Sequence, residues 1–194
     1  MLPPDVNEGQ WDFSVSGGNI RYGLSAIRGL GKEVSDAITR ERQANGKYSS
    51  LKDLAKRLSG KEINKRTIES LIKAGALDSL EGNRRQKMMT YVQIIDSVNQ
   101  ERKNEFTGQM SLFDFVSEEE KQQYEISYPD VEEYDKNEML AFEKEVLGIY
   151  VSGHPLDEYE KTWRKNVSAV TLDFEVNEET GKVKVEDNSN NVIG

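Results

Sequence analysis

Apolar residues return along the first hundred positions at the spacing of helices. Leu51, Leu54, Ala55 and Leu58 fall three and four apart, so they share one face of a short helix. Val34, Ala37 and Ile38 do the same in a helix predicted from about Lys32 to Ala44 and stopped at Asn45-Gly46. Ile68, Leu71 and Ile72 mark a third helix, opened by Asn64 as N-cap and ending near Ala74-Gly75-Ala76. Met88, Tyr91, Val92, Ile95 and Val98 stripe a longer helix, capped by Asn83 and running to about Asn99. Ser49 or Ser50 can cap the Leu51 helix, and Ser59-Gly60 closes it. Leu24 to Ile27 leaves room for one more short helix. Before it, Phe13, Val15 and Ile20 flank the turn Gly17-Gly18-Asn19, which reads as a hairpin.

The pattern changes after position 100. Residues 101–130 have little periodicity and read as an acidic linker. Met139, Leu140, Phe142, Val146 and Leu147 predict a helix over 136–147, ended by Gly148. Ser152-Gly153-His154-Pro155 is a turn, with a short helix expected after Pro155. From Val167 the period becomes two, through Val170, Leu172, Phe174 and Val176, then Val183 and Val185 beyond a turn at Glu179-Thr180-Gly181. The expected class is mainly α. A helical domain occupies 1–100, the linker 101–130 and a helical connector 131–165. A truncated β start, the beginning of a β domain with its order in question, occupies 166–194.

Charge sharpens this division. Of the 194 residues, 31% are charged and the net charge is −9. Residues 1–100 hold 16 Lys and Arg against 12 Asp and Glu, whereas 101–194 hold 10 against 23. Between 21 and 87 the excess is +8, which suits an anionic partner; a plain solvated helical surface is the alternative. There are no cysteines, so disulfides and thiolate metal sites are excluded, in keeping with a reducing cytoplasm. No apolar run is long enough to cross a bilayer, and "MLPPDVNEGQW" has neither the basic start nor the apolar run of a signal peptide. The abrupt opening reads as that of an excised fragment.

Helix, short glycine turn, helix occurs twice, around Gly29-Leu30-Gly31 and around Ala74-Gly75-Ala76. In "AIRGLGKEVSDAI" two glycines let the backbone approach a partner closely. The turn feeds a helix N-terminus, whose first amides have no partner within the helix and carry partial positive charge. That is a phosphate site, with Lys32 adding a full charge. The second turn has one glycine. Asp78 and Glu81 stand before its following helix and work against an anion, although Arg84, Arg85 and Lys87 come next. Lys65 and Arg66 are further candidate contacts, with solvated surface as the alternative. The pair of turns resembles the tandem helix-hairpin-helix motif of DNA-binding proteins, which implies sequence-independent grip on duplex phosphates through Gly29, Leu30, Gly31, Lys32, Lys65, Arg66, Gly75, Arg84 and Arg85.

Three stretches resemble one family. "IRYGLSAIRGLG" is similar to the start of the hairpin region of bacterial DNA polymerase III alpha subunits, the C-family replicative polymerases. "NKRTIESLIKAGALDSL" with "GNRR" is similar to its end, and "EKEVLGIYVSGHPLDEY" to the segment before an OB-fold. The order of hairpins, linker and β start resembles the DnaE type rather than the PolC type. The resemblance implies that 166–194 begin an OB-fold. It also implies that Gln109, Met110, Ser111, Leu112 and Phe113 form the internal motif that binds the β sliding clamp, Gln109 at the edge of a cleft and Leu112 and Phe113 inside it. Burying two such side chains contributes roughly 3–6 kcal/mol before the cost of ordering the segment. Without the resemblance, Leu112, Phe113 and Phe115 would simply staple the linker to the helical domain.

The expected partners are therefore double-stranded DNA, the clamp and the rest of the polymerase III holoenzyme, in the cytoplasm, with no membrane. The family keeps its magnesium-binding carboxylates in the palm, upstream, so no cofactor is expected here and the chain should have no polymerase activity alone. His154, the sole histidine, reads as a turn or packing residue. Two other readings stand beside this one: a protein-interaction module whose hairpins only pack, and a DNA-repair factor with paired hairpins.

Overall fold

A computed structural model describes residues 1–58, 63–107, 126–167, 174–176 and 183–185. The chain divides into two compact units, Met1–Ser152 and Gly153–Gly194.

The first unit opens on a two-stranded hairpin. Strand β1 (Ser14–Ser16) pairs antiparallel with β2 (Asn19–Arg21), Val15 opposite Ile20. Gly17 and Gly18 both take positive φ, 56° and 79°, as a two-residue turn of matching twist requires. Leu2 lies along the far side of β2, its N–H donating to the Ile20 carbonyl at 2.8 Å. After a 3-10 turn at Leu24–Ala26 come α1 (Lys32–Asn45), α2 (Leu51–Leu58), α3 (Lys65–Lys73), α4 (Arg84–Thr107) and α5 (Lys136–Leu147). Their apolar stripes meet in one core. Leu24, Ile27, Ile38, Leu51, Leu54, Leu58, Ile68, Leu71, Ile72 and Leu77 are all fully buried there.

Two boundaries differ from expectation. Helix α4 runs to Thr107 rather than Asn99, into the stretch read as linker. Phe106 is the one apolar residue in those added turns, so no stripe marks them, but Gln100, Glu101, Arg102 and Lys103 are good helix formers. Glu101 also lies 3.9 Å from both Lys52 and Lys56 of α2. The second difference is α5. Read as part of a separate connector, it packs inside the first unit, with Val146 in the core and Ile126 and Leu147 against it. Asp135 caps it in a reciprocal box with Glu138, and Gly148 ends it in the left-handed region.

In the second unit, a 3-10 turn at Asp157–Tyr159 leads into a short α6 (Glu160–Trp163). Strands β3 (Phe174–Val176) and β4 (Val183–Val185) then pair antiparallel, as the alternating pattern predicts. The clamp-binding residues Gln109, Met110, Ser111, Leu112 and Phe113 lie outside the described residues, as does Phe115.

Candidate nucleic-acid interface

The first turn is open. Gly29 takes φ 85°, and a side chain built there would meet only Ser70 Oγ, at 3.9 Å. Leu30 is buried and anchors the turn, its N–H donating to the Ile27 carbonyl at 3.1 Å. Gly31 is the N-cap of α1, with no side chain capping the helix. A side chain at Gly31 would meet nothing within 4 Å, so the approach to the first amides is clear. Arg28, Lys32 and Arg66 are exposed, and none of them has an ion pair among the described residues. Ser70 lies one turn along α3 from Arg66, on the same face. Arg28 and Lys32 flank the Gly29 turn in sequence, Arg66 stands one helical turn from the Ser70 that faces it, and Glu33 is the acidic residue of α1's first turn.

The second turn is closed. Gly75 is buried at φ 73° as the residue after the cap of α3. Its N–H donates to the Ile72 carbonyl, and the Ala76 N–H reaches back to Leu71, both at 3.0 Å. This is the double-bonded ending that terminates a helix on glycine. The Ala76 carbonyl accepts from Val6 N–H at 2.9 Å, so the N-terminal segment covers the turn.

The helix after it is capped several times over. Asn83 Oδ1 accepts from Gln86 N–H at 2.8 Å, while Gln86 Oε1 accepts from Asn83 N–H at 2.9 Å. Glu133 then takes the next two amides, accepting from Arg84 N–H at 2.8 Å and Arg85 N–H at 3.1 Å. A carboxylate of the chain itself sits where a phosphate was expected.

The basic side chains of this turn are also committed. Arg84 is buried, donating to Asp78 through Nη2 at 2.7 Å, with Nη1 3.5 Å from Glu143. Burial alone would lower its pKa, but the hydrogen bond and charge of Asp78 outweigh that and raise it. Lys87 is fully buried and donates to the carbonyls of Leu80 and Gly82; burial pushes its pKa down. Lys65 pairs with Asp96 at 2.8 Å. Arg85 is exposed, 5.7 Å above the Tyr134 ring. Of the expected phosphate residues, Gly29, Gly31, Lys32 and Arg66 are exposed. Gly75 and Arg84 are turned to internal packing, because the buried guanidinium faces Asp78 and Glu143 and presents no donor at the surface.

Glu133 and Glu143 were not anticipated from the sequence. The Asn83…Gln86 spacing is a readable capping signal, whereas nothing local marks a glutamate some fifty residues away as its reinforcement.

A family model for the helix-hairpin-helix motif matches residues 1–87. The alpha subunit of DNA polymerase III from Borreliella burgdorferi is 44% identical over 161 residues, 83% of this chain and 14% of that protein. The corresponding subunit of Mycobacterium leprae is 42% identical over 81% of the chain and 13% of the relative, and that of Thermus aquaticus 39% over 82% and 12%. The chain belongs to the DNA polymerase III alpha subunit family. It spans about one seventh of the length of the polymerase III relatives it matches. Within this family context the helix-hairpin-helix match ends just past the Arg84 pair and stops short of α5. No described helix is long and apolar enough to cross a membrane.

Proposed function

We propose that this chain is the non-catalytic part of a polymerase III alpha subunit that holds duplex DNA without reading its sequence and tethers the β sliding clamp, supporting processive synthesis in the cytoplasm. The observation that supports the duplex reading best is the uncapped, exposed N-terminus of α1, entered through Gly29-Leu30-Gly31 with Lys32, Arg28 and Arg66 beside it. Unpaired amides and three cations can cradle a phosphate without touching a base. The second hairpin favours packing over grip, so the tandem motif is read as one open turn carried by a closed one. The clamp reading is supported by the sequence of Gln109 to Phe113 and by the family. Holding DNA and clamp together raises the effective concentration of each contact. The remaining holoenzyme subunits are the other partners in this reading. The magnesium-dependent chemistry is assigned to carboxylates outside this chain. Among the described residues no group of three or more His, Cys, Asp or Glu is placed to hold a metal ion.

Two titrations test this. A short mixed-sequence duplex should bind with an affinity that falls as salt rises, equally for unrelated sequences. Gly29→Glu and Lys32→Glu should each weaken it, and parent-like binding by both would overturn the cradle. Separately, calorimetry with a bacterial sliding clamp should give a binding heat that a Leu112→Ala, Phe113→Ala double variant loses. Heat retained by that variant would remove 109–113 as the tether.

A further inference from the structure

Helix α5 lies beyond the residues that match the helix-hairpin-helix model, yet it and the segment before it touch both turns. At the first turn, the Val146 carbonyl accepts from Arg28 N–H at 2.8 Å, one residue before Gly29. At the end of α3, Lys73 lies 2.9 Å from Glu145 and 5.7 Å above the Phe142 ring. At the second turn, Glu133 holds the first amides of α4 and Glu143 faces Arg84. Glu143 is the most constrained of these. It is fully buried, and its Oε2 accepts from Val151 N–H at 2.8 Å and Ser152 N–H at 3.0 Å. Its Oε1 has no hydrogen bond among the described residues and looks toward Arg84 Nη1, itself without one. The carboxylate is thus fixed by the exit of its own helix and presents its charge to the arginine that ties down Asp78.

We infer that residues 126–152 are a strut of the duplex grip, and that Glu143 is a positioning residue which fixes the second turn relative to the first through Arg84 and α5. The inference rests on the duplex reading above. A duplex presents its phosphates at set intervals, so two contact regions engage it together only if their separation is fixed. The open turn supplies amides and Lys32, while α4 supplies the exposed Arg85 at the other end of the strut. Losing the Arg84–Glu143 contact would leave each region intact and their spacing undefined.

The test is Glu143→Gln in the whole chain. Glutamine keeps an acceptor for the Val151 and Ser152 amides and removes the charge facing Arg84. Replacing a carboxylate makes the chain less negative, which by itself favours a polyanion. Positioning predicts the opposite sign: about tenfold weaker duplex binding, with a salt slope shallower by about one, as for one lost phosphate contact. Faster exchange of the Arg28 amide should accompany it. Affinity and slope equal to the parent, or tighter binding, would overturn the inference even if the melting temperature fell, since that is all a merely structural residue would give. Should Glu143→Gln not fold, Lys73→Gln, whose Glu145 partner is exposed, replaces it. This variant also removes a cation, so parent-like slope and Arg28 exchange overturn the inference whatever the affinity. A parent chain that binds no duplex at any salt would overturn the duplex reading, and this inference with it.

Discussion

Gly29 and Gly75 look alike in sequence and differ in what they tolerate. Both take positive φ, so alanine at either position costs about 1–2 kcal/mol in the left-handed region. At Gly29 the space is open and nothing more is lost. At Gly75 a Cβ would overlap the Arg84 guanidinium and reach Asp78 Oδ2 at 3.0 Å, so the buried arginine and its partner must move as well. Gly75→Ala should therefore lower stability by about 3–4 kcal/mol, roughly twice the loss at Gly29→Ala, as read by denaturant melts. Equal losses would show that Arg84 can swing away freely. Glu133→Gln removes a negative charge from a helix N-terminus and should cost about 0.5–1 kcal/mol in the same melts, although it brings an acidic chain nearer neutrality. The caps Asn64 and Asn83 were legible because a cap and its target lie three residues apart. Glu133 and Glu143 were not, because their partners come from a distant part of the chain and only the tertiary fold introduces them.

Elements were legible in proportion to their apolar stripes. Helices α1, α2, α3 and α5 begin and end within a residue or two of where periodicity and caps place them. Helix α4 outran its stripe because its last turns are held by propensity and a few exposed ion pairs. The amides of 101–107 should accordingly exchange with solvent well before those of 88–98, which lie over the core. The connection between α1 and α2 depends on Tyr48, which lies outside every apolar stripe of the sequence. Its ring is buried, its hydroxyl donates to the Ile38 carbonyl at 2.9 Å, and its N–H donates to Asn7 Oδ1 at 2.7 Å. Burial pushes its pKa up to about 12, against the opposing pull of Arg57 over the ring. A folded pKa raised above an unfolded value near 10 gives stability that is complete below about pH 10 and lost as pH rises toward 12. The melting-temperature advantage of the parent over Tyr48→Phe should shrink across that window. A constant difference would show that the phenol ionises as freely in the folded chain as in the unfolded one.

At the scale of the whole molecule, the first unit was expected to end near residue 100, and it ends near 152 because α5 returns to it. The stretch 108–125 is therefore joined at both ends to one body: at Thr107 to the end of α4, and at Ile126 to a segment that packs on the same core. Read mechanically, the unit offers two anchorages, at Thr107 and at Ile126. Whatever pulls on the chain between them is shared by two attachments, and severing that chain at one point leaves either side still fastened. The covalent link across 108–125 is then unnecessary for holding the unit together. Residues 1–107 and 126–152, made as separate chains, should find each other and co-migrate, and Glu143→Leu should weaken their union.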